Sequence, residues 1–203
     1  MIVKDLGKQP YLPIWQAMQA FTQQRDANTE DEIWLLEHEP VFTLGRNSKP
    51  EHLLETGDIP VVQTDRGGQV TYHGPGQVIA YPLIDIRRLQ ISVRQLVQTL
   101  ENSIIGILSA RNIEAHARRD APGVYVEQGK IAALGLRVRA GACYHGISFN
   151  VDMDLQPFSR INPCGYADMP VTDCRRLHAE LDINEAKTAL AEALSQQLRK
   201  ETT

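Results

Sequence analysis

The stretch from Arg66 to Ile86 constrains the fold of this chain more than any other part of the sequence. Four glycines lie between Gly67 and Gly76, out of 14 in the whole chain of 203 residues. Glycine destabilises ordinary secondary structure, so this density indicates backbone that turns sharply or closely approaches another group. The β-branched and other apolar residues around these glycines, such as Val70 and Val78, are typical of buried strands. The segment is therefore predicted to form a strand, a glycine-rich bend and a second strand.

Two interpretations of this segment remain open from the pattern alone. One is a β-hairpin closed by a tight Gly-Pro-Gly turn at residues 74–76. The other is a binding element, because His73 precedes the bend and Arg66 precedes two glycines, where its guanidinium and nearby amides could meet an anion or a carbonyl. The segment lacks the Lys-Ser or Lys-Thr of a phosphate-binding loop. Pro75, followed by a strand-like run, also excludes the dinucleotide-binding fingerprint.

Composition excludes several classes of protein. A formal net charge of −4 argues against a general nucleic-acid-binding protein. No apolar run approaches the ~20 residues of a membrane span, and the N-terminus lacks the apolar core of a signal peptide, so we expect a cytoplasmic protein that binds no membrane. The three cysteines include no Cys-x-x-Cys pair, so neither a disulfide framework nor a metal site is expected. The length fits one domain spanning residues 1–203.

The periodicity of apolar residues predicts an α+β or α/β protein built on a largely antiparallel or mixed sheet. Helices are predicted at residues 13–24, after a cap at Ser92, from Thr172 or Asp173 to Leu181, and after a cap at Asn184. Strands are predicted at residues 32–37, 41–44, 61–64, 113–116 and 143–151, on both sides of the glycine-rich bend, and in a hairpin of residues 123–127 and 130–138. Residues 1–10 are assigned no element, and residues 154–170 are expected to be irregular.

A cysteine is the first candidate for a catalytic nucleophile, because a thiolate is strongly nucleophilic once its pKa is lowered. Cys164 lies between Pro163 and Gly165 on an expected bend. Cys174 lies at an expected helix start, where the helix dipole lowers a thiol pKa. The local pattern does not choose between these two, and three structural cysteines remain the alternative. Cys143 is expected to be a buried strand residue.

The base that would activate such a thiol has three candidates. His73 lies beside the glycine-rich bend, and His145 lies in the predicted strand that begins at Cys143. Lys130 lies between Gly129 and an apolar run. A lysine in that place is usually a solvated charge, but burial would lower its pKa and let it act as a base near neutral pH.

Three separated motifs together resemble the signature of the lipoyl(octanoyl) transferases, the octanoyl-acyl-carrier-protein:protein octanoyltransferases of lipoate synthesis. They are the glycine-rich segment Arg66–Gln77, the lysine segment Gly129–Gly135 and the cysteine segment Asn162–Gly165. A further match is the strand segment His145–Asn150. The resemblance covers nearly the whole chain in order. Its one departure is Ala133, which stands where serine is common.

The resemblance implies roles that the pattern leaves open. It implies that Cys164 is the acyl-accepting nucleophile, that Lys130 is its proton partner, and that Cys143 and Cys174 are structural. It implies an α/β fold shared with biotin and lipoate ligases, with a mixed sheet, a smaller sheet and flanking helices, and a reaction without metal or cofactor. The substrate-binding residues that it implies are Arg66, Gly67, Gly68, Gln69, Val70, Thr71, Tyr72, His73, Ala133, Leu134, Gly135, Gly146, Ile147 and Ser148.

The same resemblance implies two protein substrates for a monomeric enzyme. The donor is octanoyl-acyl carrier protein, and the acceptors are lipoyl domains of 2-oxoacid dehydrogenase complexes and the glycine cleavage H protein. Because both kinds of substrate are acidic and this chain is net negative, we expect a local basic face. The residues expected to steer the carrier are Arg118, Arg119, Arg137 and Arg139.

Three other functions compete with acyl transfer. An ATP-dependent lipoate or biotin ligase shares the fold but activates a free acid as an adenylate and does not need Cys164. A non-catalytic relative would only bind the carrier or lipoyl domains. A Cys-His hydrolase would use Cys164 with His73 or His145 and release free octanoate.

Overall fold

The computed structural model describes residues 1–162 and 169–200, and in this part of the chain the strands form two sheets. The strands are β1 (Ile2–Gln9), β2 (Glu32–His38), β3 (Val41–Leu44), β4 (Val61–Gln63), β5 (Val70–His73), β6 (Gln77–Asp85), β7 (His116–Ala117), β8 (Gly123–Val126), β9 (Gly129–Arg139) and β10 (Ala142–Asn150). The helices are α1 (Tyr11–Gln24), α2 (Val93–Ser109) and α3 (Ile183–Lys200), and short 3₁₀ helices lie at Pro50–His52 and Gln156–Arg160. None of the helices described combines the length and the hydrophobicity that crossing a bilayer requires.

A seven-stranded mixed sheet lies at the centre, in the order β1-β2-β6-β10-β9-β8-β7. Strands β1 and β2 run parallel, and the other neighbouring pairs are antiparallel. A smaller sheet, β4-β3-β5, pairs β3 parallel to β4 and antiparallel to β5. The prediction of an α/β fold with a mixed sheet, a smaller sheet and flanking helices is confirmed.

The central strands are buried on both faces, which explains their almost unbroken apolar sequences. On β2, Ile33 and Leu35 belong to the core that contains the apolar faces of α2 and α3. The alternate residues Trp34 and Leu36 pack with Met18 of α1 instead. The large sheet is therefore a layer between α2 and α3 on one face and α1 on the other, as expected from the period of two in a strand.

The glycine-rich bend connects the two sheets and does not form a hairpin. Strand β5 pairs with β3 in the small sheet, whereas β6 pairs with β2 and β10 at the centre of the large sheet. The chain changes sheets at residues 74–76, where Gly76 has a φ of +82°. A Cβ on Gly76 would lie 1.8 Å from the Asp152 carbonyl oxygen, so only glycine fits here. The hairpin interpretation is therefore wrong, and the need for close backbone approach is the reason for the glycine.

Two further element predictions are wrong. Residues 2–9, for which the sequence predicts no element, form the edge strand β1, which is mostly exposed and so carries no clear apolar face. Residues 174–178 form turns, and the described residues 172–181 contain no helix, in place of the predicted short helix. The backbone N–H groups of Cys174 and Arg175 donate to the carbonyls of Asn150 and Val151, so this segment is held against the end of β10.

Helix α3 is capped by Asp182, and not by Asn184 as predicted. Asp182 Oδ1 accepts hydrogen bonds from the backbone N–H groups of Asn184 (2.8 Å) and Glu185 (2.9 Å). Glu185 Oε2 in turn accepts from the Asp182 backbone N–H at 3.1 Å, which completes a capping box. The cap predicted at Ser92 is confirmed by the same arrangement with Gln95.

The cap of α3 gives a direct test of this assignment. Asp182→Ala should lower the free energy of unfolding by about 1 kcal/mol, because two helix N–H groups lose their acceptor. Asn184→Ala, two positions further on and also exposed, is the matched control and should change it by less than about 0.5 kcal/mol. Urea unfolding followed by circular dichroism measures both. Equal losses in the two variants would contradict the assignment.

Candidate active site

A cleft lies where the glycine-rich segment 66–73 crosses the middle of β9 and β10. All of the substrate-binding residues predicted from the sequence line it, except Gly67 and Tyr72. Lys130 also lines it. The glycine-rich, lysine and His145–Asn150 segments are thus brought to one place, although more than fifty residues of sequence separate His73 from Lys130. The other residues that line the cleft are Tyr11, Ile79, Tyr81 and His145.

Gly67 and Tyr72 lie outside the cleft and help to hold the glycine-rich segment, which forms one of its walls. The Gly67 backbone N–H donates to the Leu136 carbonyl at 2.9 Å and so ties the glycine-rich segment to β9. The Tyr72 ring packs between Phe42 and Phe158, with ring centroids 5.5 Å from each, in the apolar cluster of the small sheet. Neither residue lines the cleft itself.

The glycine-rich segment and strand β9 approach each other closely because β9 has a glycine where the two cross. A Cβ on Gly135 of β9 would lie 2.8 Å from the Gly67 carbonyl oxygen. Any side chain at this position would push the glycine-rich segment away from the sheet. The glycines of this region therefore set the width of the cleft, as the sequence indicated.

Arg66 is buried and is engaged by the protein itself. Its guanidinium donates to the hydroxyl and the backbone carbonyl of Thr43 and to the backbone carbonyl of Gly67. The distance from Nη2 to the Thr43 carbonyl oxygen is 2.6 Å. Of the two partners that the sequence allowed for this guanidinium, an anion or a carbonyl, the structure shows carbonyls of the protein itself. Arg66 thus joins β3 to the glycine-rich segment and holds that segment in shape.

The neighbouring carboxylate of Asp65 joins three parts of the molecule. It accepts hydrogen bonds from Trp15 Nε1 of α1 (2.9 Å), from His145 Nε2 of β10 (2.9 Å) and from the Tyr144 hydroxyl. Burial raises the pKa of Asp65, but the hydrogen bonds from His145, Tyr144 and Trp15 outweigh burial and hold the pKa well below its usual range. Asp65 is therefore ionised, and it anchors the segment that begins at Arg66.

His145 has an unusual backbone for a buried strand residue. Its φ is +59°, a region that a residue with a side chain enters at a cost. In a regular strand Tyr144 and His145 would point to opposite faces of the sheet. Here both reach Asp65 and their rings stack with centroids 5.0 Å apart. The left-handed conformation thus turns His145 toward the cleft.

His73 is an unsuitable base in this structure. Burial lowers its pKa well below the usual value, and the neighbouring His38 lowers it further. Its Nδ1 is hydrogen bonded to Gln77 Oε1 at 2.8 Å, and its ring stacks on Tyr11. His38 itself is buried, with a pKa lowered to about 4, mainly by burial. These rings are therefore neutral near pH 7 and shape the inner wall of the cleft.

Lys130 is buried at the start of β9 and is only 3% exposed, so it is not a solvated charge. Its Nζ donates to the Pro122 carbonyl at 2.9 Å and lies 5.2 Å from the centre of the Tyr125 ring. A Cβ on Gly123 would lie 2.6 Å from Lys130 Cε, so glycine at that position makes room for the lysine. The fold thus places a lysine inside the protein, beside the cleft.

Cys164, the predicted nucleophile, lies outside the described residues. The other two cysteines are fully buried, with pKa values raised to about 12: by burial for Cys143, and by burial and then the charge of Asp173 for Cys174. The expectation that a helix dipole lowers the thiol pKa of Cys174 is therefore wrong, because no helix begins there. Within residues 1–162 and 169–200, no group of three or more His, Cys, Asp or Glu side chains is arranged to hold a metal ion.

Sequence reasoning missed several residues of the cleft. Asp65 directly precedes the glycine-rich motif, and that adjacency was the only signal for it. Tyr11 and Tyr81 come from α1 and β6, where they look like ordinary apolar positions. His145 was recognised as a possible base and as the start of the matched segment His145–Asn150, but its left-handed backbone was not foreseen, because a strand pattern does not show it.

The chain matches a protein-family model described as the lipoyl protein ligase A/B catalytic domain over residues 10–195. It is 58% identical over 196 residues to an octanoyltransferase of Shewanella pealeana, covering 97% of this chain and 90% of that protein. It is 57% identical over 194 residues to an octanoyltransferase of Thiobacillus denitrificans, covering 96% and 89%.

Solved structures with much lower identity share the fold. A lipoate-protein ligase A bound with ATP is 15% identical, with a TM-score of 0.77, and the match covers 98% of this chain and 86% of that one. The biotin protein ligase of Aquifex aeolicus is 12% identical, with a TM-score of 0.58, and the match covers 100% and 71%. The family match and the high identity to curated relatives agree with the motifs gathered at the cleft. The chain therefore belongs to the lipoyl protein ligase A/B catalytic domain family and, within it, to the octanoyltransferases.

Proposed function

We propose that this chain, as one catalytic domain over residues 1–203, moves an octanoyl group from octanoyl-acyl carrier protein to a lysine ε-amine on a lipoyl domain, through a thioester on Cys164. Identity of 58% to an octanoyltransferase supports the reaction. The observation that carries the proposal is the buried Lys130 at one end of a cleft built by the predicted substrate segments. A buried lysine beside a ligand cleft is a candidate for acid–base work.

The described backbone on both sides of Cys164 supports its pairing with Lys130. Before it, the Asn162 N–H donates to the His52 carbonyl at 2.9 Å. After it, the Pro170 carbonyl accepts from the Lys130 N–H at 2.8 Å, and the Thr172 N–H donates to the Lys130 carbonyl at 3.0 Å. Cys164 therefore belongs to a segment whose continuation is hydrogen bonded to the residue proposed as its partner.

In the first half of the reaction, the amine of Lys130 takes the proton of the Cys164 thiol. The thiolate then attacks the carbonyl carbon of the carrier thioester. Backbone N–H groups beside the cleft stabilise the oxyanion that forms. The bond to the carrier sulfur breaks, that thiolate takes the proton from Lys130, and octanoyl-Cys164 remains.

In the second half, the neutral ε-amine of the acceptor lysine attacks the octanoyl-Cys164 carbonyl. The Cys164 thiolate leaves, and the proton lost by the amine returns to the thiolate through Lys130. One thioester is exchanged for another in the first half, and a thioester is exchanged for an amide in the second. The overall reaction is downhill, so it needs no ATP.

The histidines are less suited to this proton transfer than Lys130. The pKa of His73 is lowered mainly by burial, so its ring is a weak base. The pKa of His145 is also lowered mainly by burial, and its Nε2 is engaged by Asp65. His145 is therefore a weak base as well. This argues against a Cys-His hydrolase.

A mass measurement on the acyl-enzyme tests the reaction. Incubated with octanoyl-acyl carrier protein and no ATP, the protein should gain one octanoyl group, and Cys164→Ser should lose that adduct. The matched controls Cys143→Ala and Cys174→Ala should keep it, because both thiols are buried with raised pKa values.

Each rival function gives a different result in the same experiment. Adenylate formation from free octanoate and ATP, with no adduct on Cys164, would establish a ligase. Free octanoate as the main product in place of an amide would establish a hydrolase. Binding of the carrier or of a lipoyl domain without any turnover would show that the protein is non-catalytic.

Substitution of Lys130 tests the proton transfer. Lys130→Met should lower the rate of Cys164 acylation by about 10²–10⁴-fold, the usual contribution of a positioned acid–base group. Lys130→Arg keeps the charge but cannot release a proton near neutral pH, so it should restore little of this rate. Lys187→Met, a buried lysine on α3 that pairs with Asp5, is the control and should retain activity per folded molecule. Acylation is measured by rapid quench. A rate for Lys130→Met within threefold of the native rate would refute the pairing of Cys164 with Lys130.

Charge reversal tests the proposed docking of the carrier. Arg118 forms an ion pair with Asp120 at 2.6 Å, and the partly buried Arg137 interacts with Tyr144 of the Asp65 network, so reversing the exposed Arg119 and Arg139 to Glu is the sharper change. The double variant should lower kcat/KM for the carrier by roughly tenfold at low salt, and the effect should fade as salt screens the charges. Arg94→Glu, an exposed charge on α2, is the control. An unchanged kcat/KM at low salt would refute steering by this face.

A further inference from the structure

Helix α2 carries one acidic residue, Glu101, and its side chain is buried, with only 5% of the residue exposed. Leu100 and Ile104 beside it belong to the apolar core. A carboxylate in such a place is costly unless other groups compensate its charge. Its Oε1 accepts a hydrogen bond from the Gly123 backbone N–H at 2.8 Å. Glu101 has no part in the reaction described so far, so its burial calls for a reason.

The hydrogen bond of Glu101 ends on the same peptide group that holds Lys130. The Pro122 carbonyl and the Gly123 N–H belong to one peptide group, and the carbonyl accepts from Lys130 Nζ at 2.9 Å. The C=O and the N–H of a trans peptide group point in opposite directions. This peptide group therefore lies between the carboxylate of Glu101 and the amine of Lys130.

Lys130 also packs directly on the backbone that Glu101 holds. Gly123 has a φ of +140°, and a Cβ there would lie 2.6 Å from Lys130 Cε and 3.1 Å from Nζ. The end of the lysine side chain thus occupies the space that a side chain at Gly123 would take. Any shift of Gly123 would move the amine, so the contact between Glu101 and Gly123 fixes the position of Nζ.

The charges around the amine also favour a carboxylate at this place. Burial raises the pKa of Glu101, whereas the Gly123 hydrogen bond and the positive charge of Lys130 oppose that rise. Lys130 Nζ lies 5.2 Å from the centre of the Tyr125 ring, and the guanidinium carbon of Arg118 lies 5.0 Å from the same ring. Two cations therefore meet at one ring, and the charge of Glu101 offsets their repulsion.

We infer that Glu101 is a positioning residue for the acylation of Cys164, acting on Lys130 through the Pro122–Gly123 peptide group. A carboxylate hydrogen bonded to a peptide N–H polarises that group, so its carbonyl becomes a better acceptor for an ammonium. Glu101 thereby holds Nζ in place and stabilises the ammonium that forms when Lys130 takes the thiol proton. The inference rests on the proposed function, because it takes Lys130 to be the proton acceptor.

A double-mutant cycle of Glu101 and Lys130 tests this role. Glu101→Gln keeps the shape and an acceptor for Gly123 but removes the charge, so it should lower the rate of Cys164 acylation by about fivefold to tenfold. In the Lys130→Met background the same substitution should change the rate by less than about twofold, because the ammonium is absent. A purely structural role of Glu101 would lower the rate by the same factor in both backgrounds. Rapid quench measures acylation from octanoyl-acyl carrier protein in all variants.

Glu32→Gln is the matched control. Glu32 is a buried carboxylate on β2 that accepts from Trp34 Nε1 and pairs with Lys4. Its loss of charge should leave the rate of acylation within about twofold of the native rate. Circular dichroism establishes that each variant is folded before its rate is compared.

A titration of the Glu101 carboxyl group gives a second readout that needs no substrate. The chemical shift of its labelled carboxyl carbon is followed by NMR as the pH changes. Lys130→Met should raise the pH midpoint, because removal of a nearby cation makes the carboxylate less favourable. Lys187→Met, which removes a buried cation of α3 paired with Asp5, should leave the midpoint unchanged.

Failure of this inference can be told apart from failure of the proposed function. If Lys130→Met is slow but Glu101→Gln acylates within about twofold of the native rate, the role of Glu101 is overturned and the proposed function stands. Equal losses of rate in both backgrounds also overturn it. If the native protein is not acylated, the proposed function fails. The titration then decides alone: a raised midpoint in Lys130→Met supports the pairing of Glu101 with Lys130, and an unchanged midpoint overturns it.

Discussion

The site depends on one carboxylate. Asp65 lies immediately before the glycine-rich segment and accepts hydrogen bonds from Trp15 of α1 and from Tyr144 and His145 of β10. Hydrogen bonds to a charged group contribute roughly 1.5–3 kcal/mol each, about twice the value for neutral pairs. Glycine-rich backbone has little intrinsic preference for one conformation. An anchor of this strength at one end therefore sets the position of the whole segment over the sheet.

The second anchor of the same segment is Arg66, which joins it to β3 of the small sheet. Asp65 and Arg66 are adjacent, but they connect the segment to opposite sides of the molecule. The carboxylate reaches α1 and the large sheet, and the guanidinium reaches the small sheet. The cleft between the sheets therefore keeps its width without side chains to fill it, as binding of a flexible acyl chain requires.

The sequence predicts the local features of this architecture better than the long-range ones. The strands at 41–44 and 123–126 and the cap at Ser92 follow from short-range pattern and chemistry. The separation of β5 and β6 into different sheets could not be predicted, because strand pairing depends on partners far away in the chain. The burial of Lys130 was hidden for the same reason: Pro122, Tyr125 and Gly123 create its surroundings. The left-handed φ of His145 could not be predicted either, because it does not change the alternating pattern of a strand sequence.

The electrostatics of the cleft explain why a lysine is proposed for the proton transfer. Burial lowers the pKa values of His38, His73 and His145, so three rings that could carry charge stay neutral. An apolar acyl chain binds neutral walls more favourably than charged ones. A thiolate intermediate, by contrast, needs a nearby cation. A lysine in a cleft whose histidines are neutral meets both needs, because it supplies the positive charge at the place where the sulfur reacts. Ligases with the same fold but about 15% identity show that the scaffold alone does not determine the chemistry. The difference lies in the residues that meet the acyl carbonyl, and in this chain those are proposed to be Cys164 and Lys130.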